Sequence, residues 1–128
     1  MTRTISRFAL SALAAGAFLA APAAMAGDVA AGKAKYDMFC TSCHGATGKG
    51  DGPIGGALNP KPRDFSVGDF KIDADKDGKA GTDTDLRMVV KNGAAAYGGS
   101  PMMAPWGATL SDADLDNVLA FVLSLIHI

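Results

Sequence analysis

Cys40 and Cys43 are separated by two residues, and His44 follows at once in the run CTSCH. Cysteine supplies thiolate and thioether chemistry, and neutral histidine is the commonest metal ligand. In this order and spacing they read as a c-type haem attachment site. On one turn of helix the two sulfurs can reach the two vinyl groups of a single porphyrin and bond there as thioethers. His44 then lies beneath the ring, where an imidazole nitrogen can bind iron. Three other chemistries use similar residues. A thioredoxin-like redox pair wants a preceding strand in a βαβ pattern, but the residues before Cys40 look helical. A structural zinc site wants four ligands, and the chain has two cysteines and only one histidine besides His44. A plain disulfide gives His44 no task.

Iron held by His44 on one face leaves a position open on the other. Met88, Met102, Met103 and His127 are the candidates, while Met38 is too close to Cys40 to reach around. Met88 sits among apolar residues at helical spacing and reads as core. His127 stands at the end of the chain. Met102 and Met103 lie in a Pro- and Gly-rich stretch far along the chain from His44. Adjacent residues point in different directions, so only one of the two can ligate. A second candidate metal site is the run DADKDG, in which Asp73, Asp75, Asp77 and Gly78 match the opening of an EF-hand calcium loop. The closing bidentate position falls on Thr84, between Asp83 and Asp85, and no helix leads into the loop. A solvated acidic turn is the alternative reading.

Helices must position these groups. Asp28 can cap a helix running to about Phe39, with Val29, Gly32, Tyr36 and Phe39 on one face. Gly32 inside that helix costs about 1 kcal/mol relative to Ala; its expected use is close approach by another element, the C-terminal helix, and a tolerated surface glycine is the alternative reading. From Gly45 to Asp64 the composition makes turns. Val67 to Ile72 is expected as a short extended segment. Thr82 with Asp85 resembles a capping box opening a helix from Asp83 to about Lys91, with Leu86, Val89 and Val90 apolar and Gly93 as its stop. Ser111 with Asp114 caps the last helix, where Asp112, Asp114 and Asp116 favour the positive end of the dipole. Its stripe is Leu115, Val118, Leu119, Val122, Leu125 and Ile126, with Phe121 on the flank.

The first residues are not expected in the fold. Arg3 and Arg7 precede an apolar run from Phe8 to Ala21, Pro22 breaks it, and Ala24-Met25-Ala26 is a small-x-small cleavage site. That is a secretory signal peptide over residues 1–26, removed after Ala26. The run is shorter than the roughly 20 residues of a membrane span; an uncleaved anchor is the alternative. Residues 27–128 then form one small domain. Loss of the two arginines leaves ten Lys plus Arg against thirteen Asp, with no Glu, taking the formal net charge from −1 to −3. No basic patch points to nucleic acid.

The chain resembles a class I c-type cytochrome of the bacterial monohaem kind, from Asp28 to about Leu125. The residues that carry this are Gly32 and Tyr36 in the first helix, CTSCHG, Gly52-Pro53, and the closing run MAPWGATLSDADLDNVLAFVLSL. The family's phrase before the last helix is Met-Pro-x-aromatic-Gly. Met103, Trp106 and Gly107 keep that spacing, with proline displaced to Pro105, so the register favours Met103 over Met102. The acidic loop is not a usual family feature. The resemblance implies an all-α small cytochrome c fold, with first and last helices crossing beside one covalent haem c. It implies that Gly32 lets Phe121 or its neighbours approach, that Pro53 gives its carbonyl to His44, and that Trp106 contacts a haem propionate. It implies export, since this haem is attached on the outer side of the bacterial membrane. The expected function is a periplasmic electron carrier, working as a monomer between a redox donor and an acceptor, with no catalysis of its own. The alternatives are the haem subunit of a larger periplasmic oxidoreductase, or a ligand-binding haem protein if neither methionine ligates.

Overall fold

The computed structural model describes residues 27–127. The expected signal peptide, residues 1–26, lies outside them. Among the described residues four α-helices occur in order: α1 (Val29–Phe39), α2 (Thr41–His44), α3 (Asp83–Asn92) and α4 (Asp112–Ser124). Three 3₁₀ turns supplement them at Gly55–Ala57, Ala94–Tyr97 and Leu125–His127. Among the described residues there is no strand, and the fold is the all-α one expected.

Local chemistry sets the helix ends. The Asp28 carboxylate accepts from the Ala31 N–H at 2.9 Å and starts α1. Thr82 with Asp85 and Ser111 with Asp114 form complete capping boxes at α3 and α4. Gly45 and Gly93 end α2 and α3 at φ of 79° and 80°, where a side chain would be strained. Val67 to Ile72 pairs with no strand. Its start is a turn, closed from the Gly68 N–H to the Phe65 carbonyl, with Gly68 at φ 64°.

Helices α1 and α4 share the largest interface between elements. They cross at Gly32, where a Cβ would lie 1.8 Å from the Asn117 carbonyl oxygen. The helix that approaches is the expected one, but the point of contact is the Asn117–Val118 backbone. Phe121 packs one turn further on, its ring 4.9 Å from that of Tyr36. Tyr36, Leu110, Leu115, Val118, Phe121, Val122 and Leu125 make the core, each worth roughly 1.5–3 kcal/mol of burial for the larger apolar side chains. Val29, expected on the same face, is exposed. It sits in the first turn, before the crossing at Gly32. The Asp28 N–H also donates to Asn117 Oδ1 at 2.7 Å, which ties the start of α1 to α4.

The acidic start of α4 does more than complement a dipole. Arg87 on α3 pairs with Asp112 at 2.9 Å and Asp116 at 2.7 Å, and Lys91 reaches Asp112 at 3.1 Å. Lys35 on α1 reaches Asp114 at 3.3 Å. These half-exposed pairs align the helices more than they stabilise them. The apolar face of α3 is only half-buried. Leu86, Val89 and Val90 face an open cavity in the interior.

Candidate haem site

That cavity is about 770 Å³, within the range of cofactor pockets. Cys40, Cys43 and His44 form part of its wall, and Met103, Met102 and Trp106 form another. The structure therefore brings the attachment motif and the methionine loop to one space, although some sixty residues separate them in the chain. Met88 does not line it. The side chain of His127 lies outside the described residues.

The attachment motif is built by the ends of two helices. Cys40 closes α1, its N–H donating to the Tyr36 carbonyl at 2.8 Å, and Cys43 and His44 complete the single turn of α2. Both cysteines are free and half-buried. Burial, with Cys43 nearby, pushes the Cys40 thiol up to about 11. A thiol so protonated near neutral pH is a poor nucleophile, which disfavours a thioredoxin-like redox pair. Burial pushes the His44 imidazole below its usual range, with the Arg63 backbone pulling the other way, so the ring is held neutral as a metal ligand must be. Phe65 stacks on it at 4.5 Å and 20°.

His44 Nδ1 is buried with no hydrogen-bond partner among the described residues. The expected bond to the Pro53 carbonyl is not made in this structure. Pro53 is exposed and does not line the cavity. Its neighbours bond to the attachment turn itself, Gly52 N–H to the Cys43 carbonyl and Ile54 N–H to that of Ser42. A buried polar atom without a partner costs about 1–3 kcal/mol. An imidazole with unused capacity, on the wall of a large and mainly apolar cavity that also holds two thiols and a thioether, fits an iron porphyrin.

The methionine loop is fastened to the end of α3 by three backbone bonds. Ala94 N–H donates to the Met103 carbonyl at 3.1 Å, Trp106 N–H to Val90 at 3.0 Å, and Gly107 N–H to Lys91 at 2.9 Å. Met103 is half-buried between these anchors, whereas Met102 is 60% exposed. Trp106 is half-buried with its ring 5.2 Å from Phe39.

The acidic loop gathers a different set from the one the motif suggested. Asp73, Asp75 and Asp85 place a carboxylate oxygen each within 4.8 Å of one another, and Asp77 is not among them. Asp85 is only 1% exposed. Its Oδ1 accepts from the Ala74 and Asp75 N–H groups, and its Oδ2 from the Thr82 N–H and hydroxyl. Burial pushes this carboxyl up, but those donors outweigh it and leave the pKa below the ordinary value. Asp77 instead accepts from the Lys79 N–H.

Sequence reasoning missed Phe65, Arg63, the reach of Asp85 to Ala74 and Asp75, and the anchoring role of Val90, Lys91 and Ala94. The capping box at Thr82 marked Asp85 as a helix-starting residue, but its reach to Ala74 had no local signal. Phe65 lies in a Gly- and Pro-rich stretch without periodicity.

A crossing of first and last helices beside a cavity walled by CxxCH and a methionine loop defines a small haem-binding electron-transfer domain. The sequence profile of the Cytochrome c family matches residues 29–125, and the chain belongs to that family. It is a haem c electron-transfer protein, an electron carrier rather than an enzyme. It is 38% identical over 104 residues to cytochrome c-554(547) of Halothiobacillus neapolitanus, covering 78% of this chain and 99% of that protein. It is 31% identical over 122 residues to cytochrome c-555 of Chlorobaculum tepidum, covering 93% and 96% respectively. Among solved structures it resembles a chain of the reducing HAO-like protein complex of Kuenenia stuttgartiensis, with a TM-score of 0.62 and 30% identity. That match covers 77% of this chain and spans 42% of the other.

Proposed function

We propose that this chain is a periplasmic electron carrier with one haem c, joined to Cys40 and Cys43 and bound on its two faces by His44 and Met103. The observation that supports this best is the single cavity shared by those four residues. The bound group supplies a one-electron couple at iron. The residues around it decide how that couple behaves. His44, held neutral by burial, offers a nitrogen donor, and the Met103 thioether is a soft donor that favours the reduced metal and raises the potential. The apolar walls work in the same direction, because burial disfavours the extra positive charge of the oxidised form. With both faces filled, no position is left for substrate. The Trp106 indole N–H is available to a carboxylate at the porphyrin edge, and exposed Met102 makes one rim of the cavity apolar, which suits a small and transient docking face.

Residues 1–26 act in this reading as a signal peptide cleaved after Ala26, so that the mature chain begins at Gly27. Among the described residues no helix is long and apolar enough to cross a membrane. We assign the acidic loop to Asp85, whose carboxylate already binds four donors, rather than to calcium. Calorimetry at millimolar calcium tests this: absence of heat supports the assignment, and a saturable exotherm or endotherm overturns it.

Visible and near-infrared spectra of both redox states test the ligand assignment. The expected result is a c-type reduced spectrum and a weak sulfur-to-iron band in the oxidised protein. Rapid carbon monoxide binding to the reduced protein at neutral pH would instead indicate an open face and a ligand-binding role. The match to a chain of a multi-protein complex raises a second reading, a haem subunit of a larger oxidoreductase. Stoichiometric co-purification with a larger polypeptide would favour it.

A further inference from the structure

We propose that Tyr36 is a positioning residue for the proximal ligand, clamping the attachment turn at both ends and so fixing the orientation of His44. The inference rests on the haem reading above. One residue touches both ends of the motif. At its start, the Tyr36 carbonyl accepts from the Cys40 N–H at 2.8 Å and from the Thr41 hydroxyl at 3.3 Å. At its end, the Tyr36 hydroxyl donates to the Gly45 carbonyl at 2.8 Å. Gly45 directly follows His44, so the clamped carbonyl is one residue from the ligand.

The base of the clamp is fully buried in the core. The Tyr36 ring packs against Phe121 at the α1–α4 crossing. The other end needs holding. Gly45 leaves α2 with φ 79° and ψ 160°, a conformation outside the helix that nothing in α2 itself enforces. Its N–H donates to Thr41, and its carbonyl also accepts from the Gly48 N–H at 3.2 Å. The phenol is the one side chain among the described residues that bonds this carbonyl. Burial raises its pKa, so it stays a donor throughout the working range of pH. The crossing of two helices is thereby transmitted to the ligand through a single hydroxyl. The orientation of an imidazole ligand and the groups that fix it tune the metal it binds.

The test uses the holoprotein and its Tyr36→Phe and Phe121→Leu variants. Tyr36→Phe keeps the ring and removes the clamp, whereas Phe121→Leu loosens the same core and leaves the clamp. Pigment that resists acidified organic solvent in the parent establishes the haem reading separately; its loss there would sink that reading before Tyr36 is tested. With haem in place, the expected result is that Tyr36→Phe shifts the hyperfine-shifted His44 ring resonances of the oxidised protein and its midpoint potential. Phe121→Leu should lower the melting temperature and leave both signals in place. Equal shifts in the two variants, or none in Tyr36→Phe, would overturn the proposal. A second measurement needs no variant: the parent should show a slowly exchanging Tyr36 hydroxyl proton, and a rapidly exchanging one contradicts the clamp.

Discussion

Replacing Gly32 by alanine separates two lines of reasoning about one residue. Helix propensity, which already includes the smaller backbone entropy of the unfolded alanine chain, favours the change by about 1 kcal/mol. The structure gives the opposite sign. The new Cβ would lie 1.8 Å from the Asn117 carbonyl oxygen and 2.4 Å from its carbon, where real Cβ atoms stay at least 3.0 Å away. Both groups are backbone within helices, so no rotamer change relieves the contact. The α1–α4 interface must open by about 1 Å, the difference between 3.0 and 1.8 Å rounded down. Overpacking of this kind costs about 1–3 kcal/mol and occasionally more, and a backbone clash belongs at the upper end or beyond it. After the propensity gain, a net loss of about 2 kcal/mol remains. For a domain of this size that lowers the melting temperature by about 8–16 °C. Thermal and denaturant melts of the holoprotein measure it. An alanine variant as stable as the parent, or more stable, would refute the crossing at Gly32.

Three further outcomes follow from the site and its supports. Met103→Ala should abolish the weak near-infrared sulfur-to-iron band, while Met102→Ala should keep it; the reverse would move the ligand to Met102. Cys40→Ala should leave at most one thioether and cut the yield of covalent haem protein severely, as measured by pigment retained on a denaturing gel. Asp85→Ala should lower the denaturation midpoint near neutral pH. Because the folded carboxyl titrates below 3.8, its stabilisation is complete above that unfolded value and is lost as pH falls through the folded one. The gap between parent and variant should therefore narrow under acid, and a gap that widens there would contradict the buried-anion account.

The helices were legible because their signals are local. Asp28, Thr82 and Ser111 are each followed at capping distance by the groups that complete their motifs, and the α4 stripe repeats at helical spacing. CTSCH was legible because its chemistry fits within five residues. The rest depends on partners distant in the chain. Nothing near Phe65 announces that it stacks on His44, and nothing near Asp85 shows that Ala74 and Asp75 donate to it. The EF-hand pattern pointed to Asp77, whereas the carboxylates that come together are Asp73, Asp75 and Asp85, because a sequence motif counts positions in the loop and not the fold that brings Asp85 back to it. Val29 shared the spacing of a buried face but not its contact, because α4 crosses α1 at Gly32 and leaves the first turn open. Pro53 is flanked by residues bonded to the attachment turn, Gly52 to Cys43 and Ile54 to Ser42, yet Nδ1 of His44 has no hydrogen-bond partner among the described residues.

The claim beneath all of this is that a porphyrin is covalently fixed at Cys40 and Cys43. Extraction of the purified protein with acidified organic solvent tests it most directly. The account predicts a red polypeptide that keeps its pigment, with a mass increased by one haem. A colourless chain, or pigment that moves into the solvent, would contradict it.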